Sequence, residues 1–263
     1  MTPGFIDVNV SLGTWPFMDF RIQTAAALAK HLAAEGIAQA WVSAVEPILF
    51  TDPDVHDEQL FSSLARFPSL FPVKTINPLL GGWRASLERA LKVHRVRRVK
   101  IHPNYHQFAL NDPRVDAMAE ELVRRGIPLL IQMRVEDERN QHPLMQVPGV
   151  PAETVSDLAA NHPALKVVAL CAYRGEAATL VAGRRNVWVD LSFIECQDTL
   201  ETLCGEIPAD RILFGSNTPF LYTRPAVMKV THAGIAARIR TSVACGNART
   251  LGSRIAPKMD EIL

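Results

Sequence analysis

A single (β/α)8 barrel, an α/β fold, is what this sequence predicts, and three observations predict it. Short β-rich apolar runs alternate with amphipathic stretches along the whole chain, a rhythm produced by parallel strands joined through helical crossovers. Eight such runs can be counted. The length of 263 residues matches the roughly 250 that eight strand–helix units require. No Gly/Ser linker, composition shift or low-complexity tract divides the chain, so residues 1–263 are read as one domain.

The first strand is expected over Phe5 to Val10. A helix follows over Thr24 to Glu35, where Ala25, Leu28, Ala29 and Leu32 recur at helical spacing. Gly36 comes directly after it, at the position where a left-handed residue without Cβ ends a helix most easily. Strands are then predicted over Ile37 to Val45, Phe71 to Ile76 and Arg98 to Ile101. A second clear helix covers Arg114 to Arg125 through Val115, Met118, Ala119 and Leu122, with Gly126 as its stop. Ile127 to Met133 is the fifth strand, and Leu165 to Leu170, Val187 to Phe193 and Arg211 to Phe214 are the last three. The long irregular stretch Arg134 to Pro151, rich in proline and charge, reads either as a lid or binding loop or as a plain surface excursion.

Composition narrows the classes. The apolar fraction of 48% and charged fraction of 21% supply a large core and give no sign of disorder. With 28 basic against 27 acidic residues the formal charge is +1, so no global field recruits nucleic acid or an anionic membrane. Cys171, Cys196, Cys204 and Cys245 show no paired framework, which suits reduced thiols. No run approaches the roughly 18 to 20 apolar residues of a membrane span, and Met1 to Phe5 lacks a basic start leading into an apolar signal core. A cytoplasmic location is expected.

In such barrels the reactive groups stand at the C-terminal ends of the strands, where the loops converge on one mouth. Reading off each strand end gives Asn9, Ser11, Glu46, Asn77, Lys100, His102, Gln132, Arg134, Cys171, Asp190, Ser192 and Asn217. Asn9 with Ser11, Lys100 with His102 and Gln132 with Arg134 are i, i+2 pairs, so each pair points to one side of its strand. A purely structural interior would prefer Val, Ile or Leu, because an unpaired buried polar group costs about 1 to 3 kcal/mol. These groups therefore await a ligand or satisfy one another.

The opening Ile6-Asp7-Val8-Asn9-Val10-Ser11-Leu12-Gly13 resembles the first strand of the amidohydrolase-related TIM-barrel family, of the amidohydrolase 2 type, which shows Ile-Asp-x-His-x-His-x-Gly there. Val99-Lys100-Ile101-His102-Pro103 is similar to its fourth strand, Lys166-Val167-Val168 to its sixth, and Ile212-Leu213-Phe214-Gly215-Ser216-Asn217-Thr218-Pro219 to its eighth. Gly246-Asn247-Ala248 through Leu251 is similar to its ending. The resemblance implies a divalent cofactor, commonly zinc, and association into a homodimer. The positions that correspond to the family's metal ligands are Asn9, Ser11, Gln132, Cys171 and Asn217, none of which carries an imidazole or a carboxylate. Neutral amide and hydroxyl oxygens bind zinc poorly. No metal is expected here, and with it goes the usual means of making hydroxide near neutral pH.

Several residues keep two readings. His102 suits a general acid or base, or a histidine bonded to a backbone carbonyl. Lys100 and Arg134 suit an anionic ligand, or Lys100 pairs with Glu46 or Asp190 across the barrel. His106 and His142 lie in loops that could approach the mouth or face solvent. Cys171 could be a nucleophile if a base lay beside it. Trp15, Phe17 and Tyr105 could wall a pocket or pack in the core.

The function expected is a metal-independent hydrolase, lactonase-like, or a related lyase, acting on a small carboxylate-bearing molecule. His102, Glu46 and Cys171 are its candidate catalytic residues, with Glu46 replacing the carboxylate missing at Asn217. Asn9, Ser11, Lys100, Gln132, Arg134, Ser192 and Asn217 are its candidate binding residues. One alternative is a member of the family that binds a ligand without turnover. Another is a metal site built elsewhere, from His102, His142, Glu46 and Cys171.

Overall fold

Strand β1 (Phe5–Leu12) is buried along its whole length and lies parallel to β2 (Ile37–Ala44). The structure, a computed structural model, describes residues 4–252 of the chain. Strand β3 comes in two segments, Leu70–Pro72 and Lys74–Thr75. The first pairs with β2 and the second with β4 (Val99–Ile101). Parallel neighbours then follow in chain order: β5 (Leu129–Gln132), β6 (Val167–Leu170), β7 (Val187–Asp190) and β8 (Ile212–Leu213). The ring closes where the Val8 amide donates to the Phe214 carbonyl at 3.0 Å and the Ser11 amide to the Thr218 carbonyl at 2.8 Å.

Helices α1 (Ala25–Ala34), α2 (Asp54–Leu64), α3 (Trp83–Val93), α4 (Pro113–Arg125), α5 (Ala152–Asn161), α6 (Arg174–Val181), α7 (Thr199–Glu206) and α8 (Thr223–Thr231) follow the strands in turn, as the alternating pattern predicts. Thr24 and Asp112 stand just outside α1 and α4 as caps, each accepting a first-turn amide through its side chain. Gly36 and Gly126 both adopt the left-handed conformation expected of them, with φ of 79° and 67°. A final α9 (Ala237–Thr241), a π-helical turn (Ser242–Gly246) and α10 (Asn247–Gly252) complete the described chain.

Two of the differences from the expected strand bounds have local reasons. The third breaks at Val73, because the Val73 amide bonds back to Val42 while the Lys74 amide bonds forward to Arg98, so the strand changes partner. The seventh ends at Asp190 rather than Phe193, since the chain turns there and returns the Ser192 hydroxyl to the Asp190 carboxylate at 2.9 Å.

One apolar layer packs the helices on the outer faces of the strands. A second cluster joins Ile6, Val8, Leu130, Val168, Leu170 and Leu213 from the strands to Cys245, Ala248 and Leu251 from the C-terminal segment. A third, of Trp15, Phe20, Val45, Ile48, Val135 and Phe220, gathers loop residues that follow strand ends. A bulge in β1 between Asp7 and Val10 shifts its register against β2 and leaves Ser11 level with Ser43. Among the described residues no helix is long and apolar enough to cross a membrane.

Candidate functional site

The strand ends bring a polar cluster together as the i, i+2 pattern requires. The Asn9 amide donates to the Cys171 Sγ at 3.2 Å and to Asp190 Oδ2 at 3.0 Å, while its Oδ1 lies 3.5 Å from the Lys100 ammonium. Lys100 also donates to the Ser43 hydroxyl at 3.2 Å, which meets that of Ser11 at the same distance. Gln132 and Ser192 reach the Cys171 sulfur at 3.1 and 3.3 Å. Cys171 itself takes a left-handed φ of 60°, and its amide donates to Asp190 Oδ1 at 2.8 Å. Asp190 thus anchors strands one, six and seven. His102 is 1% exposed and neither of its ring nitrogens has a hydrogen-bond partner; Gln132 Oε1 is likewise unpartnered.

Burial sets the charges. It brings Lys100 down to about 8 and drives His102 well below the usual 6.5, a shift to which the Lys100 and His106 charges add. Near neutral pH the ammonium is therefore retained and the imidazole is uncharged. No carboxylate of the described residues forms an ion pair with Lys100. Desolvation pushes the Cys171 thiol up to about 12 and Asp190 above its usual range.

Asp7 lies beneath this cluster, its Oδ1 accepting the amides of Asn9 and Ser216 at 3.1 Å each. Desolvation raises it from 3.8 to about 7, against the lowering effect of those bonds. The unfolded chain loses this proton near 3.8 while the native chain keeps it up to about 7, so unfolding is favoured progressively across that window and not further above it. The contribution of Asp7 to urea stability is accordingly expected to fall as pH rises through the window. Asp7→Asn should flatten the decline, and an unchanged pH slope in that variant would remove Asp7 as its cause.

Above the cluster opens a cavity of about 1340 Å³, walled by Trp15, Phe17, Tyr105, Tyr173, Phe193 and Phe220 and by much of the 135–147 loop. The Arg134 to Pro151 stretch is thus a wall of the cavity. Ser192 is the member of the polar cluster that also lines it. Trp15, Val135 and Phe220 pack together and line the cavity.

The structure gathers Asn9, Ser11, Lys100, Gln132, Cys171 and Ser192 and sets His102 beside Lys100. Others it sends elsewhere. Arg134, read as an anion ligand, is enclosed by its own chain: its guanidinium meets both carboxylate oxygens of Glu176 at 2.6 and 2.8 Å, the Cys171 carbonyl at 2.5 Å, and the face of Tyr173 at 3.8 Å. Glu46, read as a stand-in base, accepts the Thr14 amide at 2.7 Å, because it starts a short 3-10 turn (Glu46–Ile48) that carries it toward Gly13. Cys171, read as a nucleophile, is held as a neutral thiol with neutral donors around it. Asn217, with φ of 55°, donates to the Val135 carbonyl at 3.1 Å and ties the eighth strand to the cavity loop.

His106 is buried and bonds the Pro47 carbonyl at 2.7 Å rather than facing solvent, whereas His142 lines the cavity. Trp15, Phe17 and Tyr105 wall the cavity rather than only packing the core. Sequence reasoning passed over Ser43 and Asp7 and gave Asp190 too small a part. The period-two pattern that found Asn9 was the signal available for Ser43, which stands level with Ser11.

The residues at the family's ligand positions do not suit a divalent cation. Asn9 and Gln132 turn amide N–H groups toward the Cys171 sulfur, Asn217 turns its own toward a carbonyl, and an ammonium stands where a cation would have to enter. Among the described residues no group of three or more His, Cys, Asp or Glu side chains is arranged to hold a metal ion. The sulfur and the carboxylate nearby are already taken up by protein donors.

A parallel barrel of eight strands with its polar groups at their C-terminal ends belongs to the (β/α)8 class, which places its sites in the mouth. Residues 64–251 match the sequence profile of the amidohydrolase family, and the chain belongs to that family. No curated protein sequence matches it. Among solved structures it is similar to 5-carboxyvanillate decarboxylase from Sphingomonas paucimobilis, with a TM-score of 0.75 at 16% identity over 95% of this chain and 98% of that one. It is also similar to 2,6-dihydroxybenzoate decarboxylase from Rhizobium, with 0.75 at 17% over 96% and 99%. A third is a dihydroxybenzoic acid decarboxylase from Polaromonas sp. with bound manganese and 2-nitroresorcinol, with 0.76 at 16% over 98% and 99%. At such identities the likeness establishes the fold alone.

Proposed function

We propose that this chain binds a small carboxylate-bearing molecule in the mouth cavity and acts on it without a metal, as a lactonase-like hydrolase or a related lyase. The observation that carries the reading is the pair of unpartnered His102 nitrogens, buried beside a lysine that forms no ion pair among the described residues. Leaving such groups empty costs about 1 to 3 kcal/mol each, which a bound substrate would offset. The Lys100 ammonium would neutralise the substrate carboxylate, and the uncharged imidazole of His102 would accept a proton from water or from the substrate. Ser192 lines the cavity and bonds Cys171 and Asp190, which Asn9 links to Lys100; Ser11 and Gln132 fix the geometry around this network, and Asn217 holds the cavity loop at Val135. Glu46 and Arg134 are assigned to positioning the loops after strands two and five. The neighbours named above are decarboxylases of aromatic carboxylates, which makes that substrate class the first to try.

The test is a panel of aromatic and aliphatic carboxylates and lactones, followed by thermal unfolding and by product formation in metal-chelated buffer. Carboxylates are expected to raise the midpoint of the parent and not of Lys100→Met. Equal stabilisation of both proteins would displace the carboxylate from Lys100, and turnover that appears only on adding a divalent metal would end the metal-independent reading. A second reading, binding without turnover, is favoured by the burial of Lys100 and His102, which are 3% and 1% exposed. Ligands that stabilise the chain while none is converted would select it.

A further inference from the structure

The cavity carries a negative charge that the chemistry above leaves unused. Four carboxylates line it, those of Glu136, Asp137, Glu138 and Glu195, against the guanidinium groups of Arg139 and Arg174. Three of the four have cationic partners: Asp137 pairs with Arg139 at 2.5 Å, Glu138 with Arg134 at 3.3 Å and Glu195 with Lys229 at 2.6 Å. Arg174 pairs away from them, with Glu206. Glu136 forms no ion pair among the described residues; its Oε2 accepts a hydrogen bond from the neutral Trp15 indole at 3.2 Å.

Aromatic rings line the cavity together with that carboxylate. The Trp15 ring meets Tyr105, Phe17 and Phe220 edge to face, at centroid distances of 6.2, 5.5 and 5.3 Å. All four rings line the same cavity as Glu136. Burial and the Glu136 charge hold the Tyr105 hydroxyl protonated, so the ring stays neutral. A half-buried carboxylate without a cationic partner among the described residues, in a cavity lined by aromatic rings, is what an organic cation seeks. The charge attracts it through a medium of lowered dielectric, and the ring quadrupoles attract it again at close range. An anion would meet repulsion at the same place.

We propose that Glu136 with the rings of Trp15, Tyr105 and Phe220 forms a subsite for an alkylammonium group, so that the molecule held in this cavity carries an amine. The inference rests on the reading above only in taking the cavity as the ligand site; it needs neither turnover nor a carboxylate at Lys100. Together the two describe a zwitterionic substrate, its carboxylate at Lys100 and its ammonium at the 136 loop.

Calorimetric titration with 2-phenylethylamine, the neutral 2-phenylethanol and 3-phenylpropanoate tests it on the parent, Glu136→Gln and Lys100→Met. Glu136→Gln keeps an acceptor for the Trp15 indole, and its thermal midpoint reports that the fold is retained. The amine is expected to bind the parent about tenfold or more tightly than the alcohol. That preference should vanish in Glu136→Gln and persist in Lys100→Met. An amine that does not bind, binds no better than the alcohol, or keeps its preference in Glu136→Gln overturns the subsite. Loss or retention of 3-phenylpropanoate binding in Lys100→Met judges the carboxylate reading separately.

Discussion

Turnover of the carboxylate substrate is expected to fall about 10²- to 10⁴-fold in His102→Gln, the usual contribution of a positioned general acid or base, while ligand-induced thermal stabilisation is largely kept. The split follows from the placement of the two side chains. Lys100 holds the charge that attracts the ligand, and Gln at position 102 keeps a polar donor and acceptor for it, whereas only the imidazole can take up the proton. Its pH signature should be distinctive. Burial and the neighbouring Lys100 hold the imidazole neutral well below 6.5, so the rate should show no histidine ionisation near that pH. It should instead decline as pH rises through about 8, where Lys100 gives up its proton and with it the attraction for the carboxylate. A His102→Gln enzyme with unchanged kcat would remove the proton-transfer role, and a rate that rises through pH 8 would remove the ammonium from the mechanism.

Why the fold could be read from the sequence while the site could be read only in part is a matter of range. Strand and helix patterns are local: Ala25, Leu28 and Leu32 declare a helical stripe within ten residues, and α1 is where they place it. The inward pairs Asn9 with Ser11 and Lys100 with His102 were legible for the same reason, since period two fixes the face of a strand whatever its neighbours are. The partners were not. Arg134 is claimed by Glu176, 42 residues further on, at the start of α6 and beside the Tyr173 ring. Nothing near Arg134 announces that. Glu46 stands one residue past the predicted end of its strand, and a single 3-10 turn was enough to send its carboxylate to the Thr14 amide. Glu136 belongs to a loop with no periodicity, so its exposure to the cavity follows only from the folded course of the 134–151 stretch.

Loss of the Lys74 ammonium should be the most damaging single change to stability, and it touches no part of the mouth. Lys74 is 2% exposed and donates to Asp57 at 2.6 Å, Asp54 at 3.0 Å and the Thr75 carbonyl at 2.8 Å. Asp57, 1% exposed, also accepts the Thr75 amide at 2.9 Å, so this one carboxylate joins α2 to the second segment of β3. In Lys74→Met the Asp57 carboxyl loses the cation that favours its charged form; burial already raises it to about 6 with Lys74 in place, so the variant either protonates it or leaves an uncompensated interior charge, and breaking a buried pair in this way costs about 3 to 5 kcal/mol. The urea midpoint should move accordingly, with an unchanged m value marking a pure stability effect. Removing both charges together is the informative control: Lys74→Met with Asp57→Leu should be less destabilised than Lys74→Met alone, because apolar groups of similar size substitute for a buried pair at little net cost. A double variant weaker than the single would mean that the Thr75 amide, left without its acceptor, matters more than the pair. A single variant losing less than about 1 kcal/mol, the range of solvent-screened surface pairs, would show that water reaches Lys74 and that α2 is held to β3 by its apolar face instead.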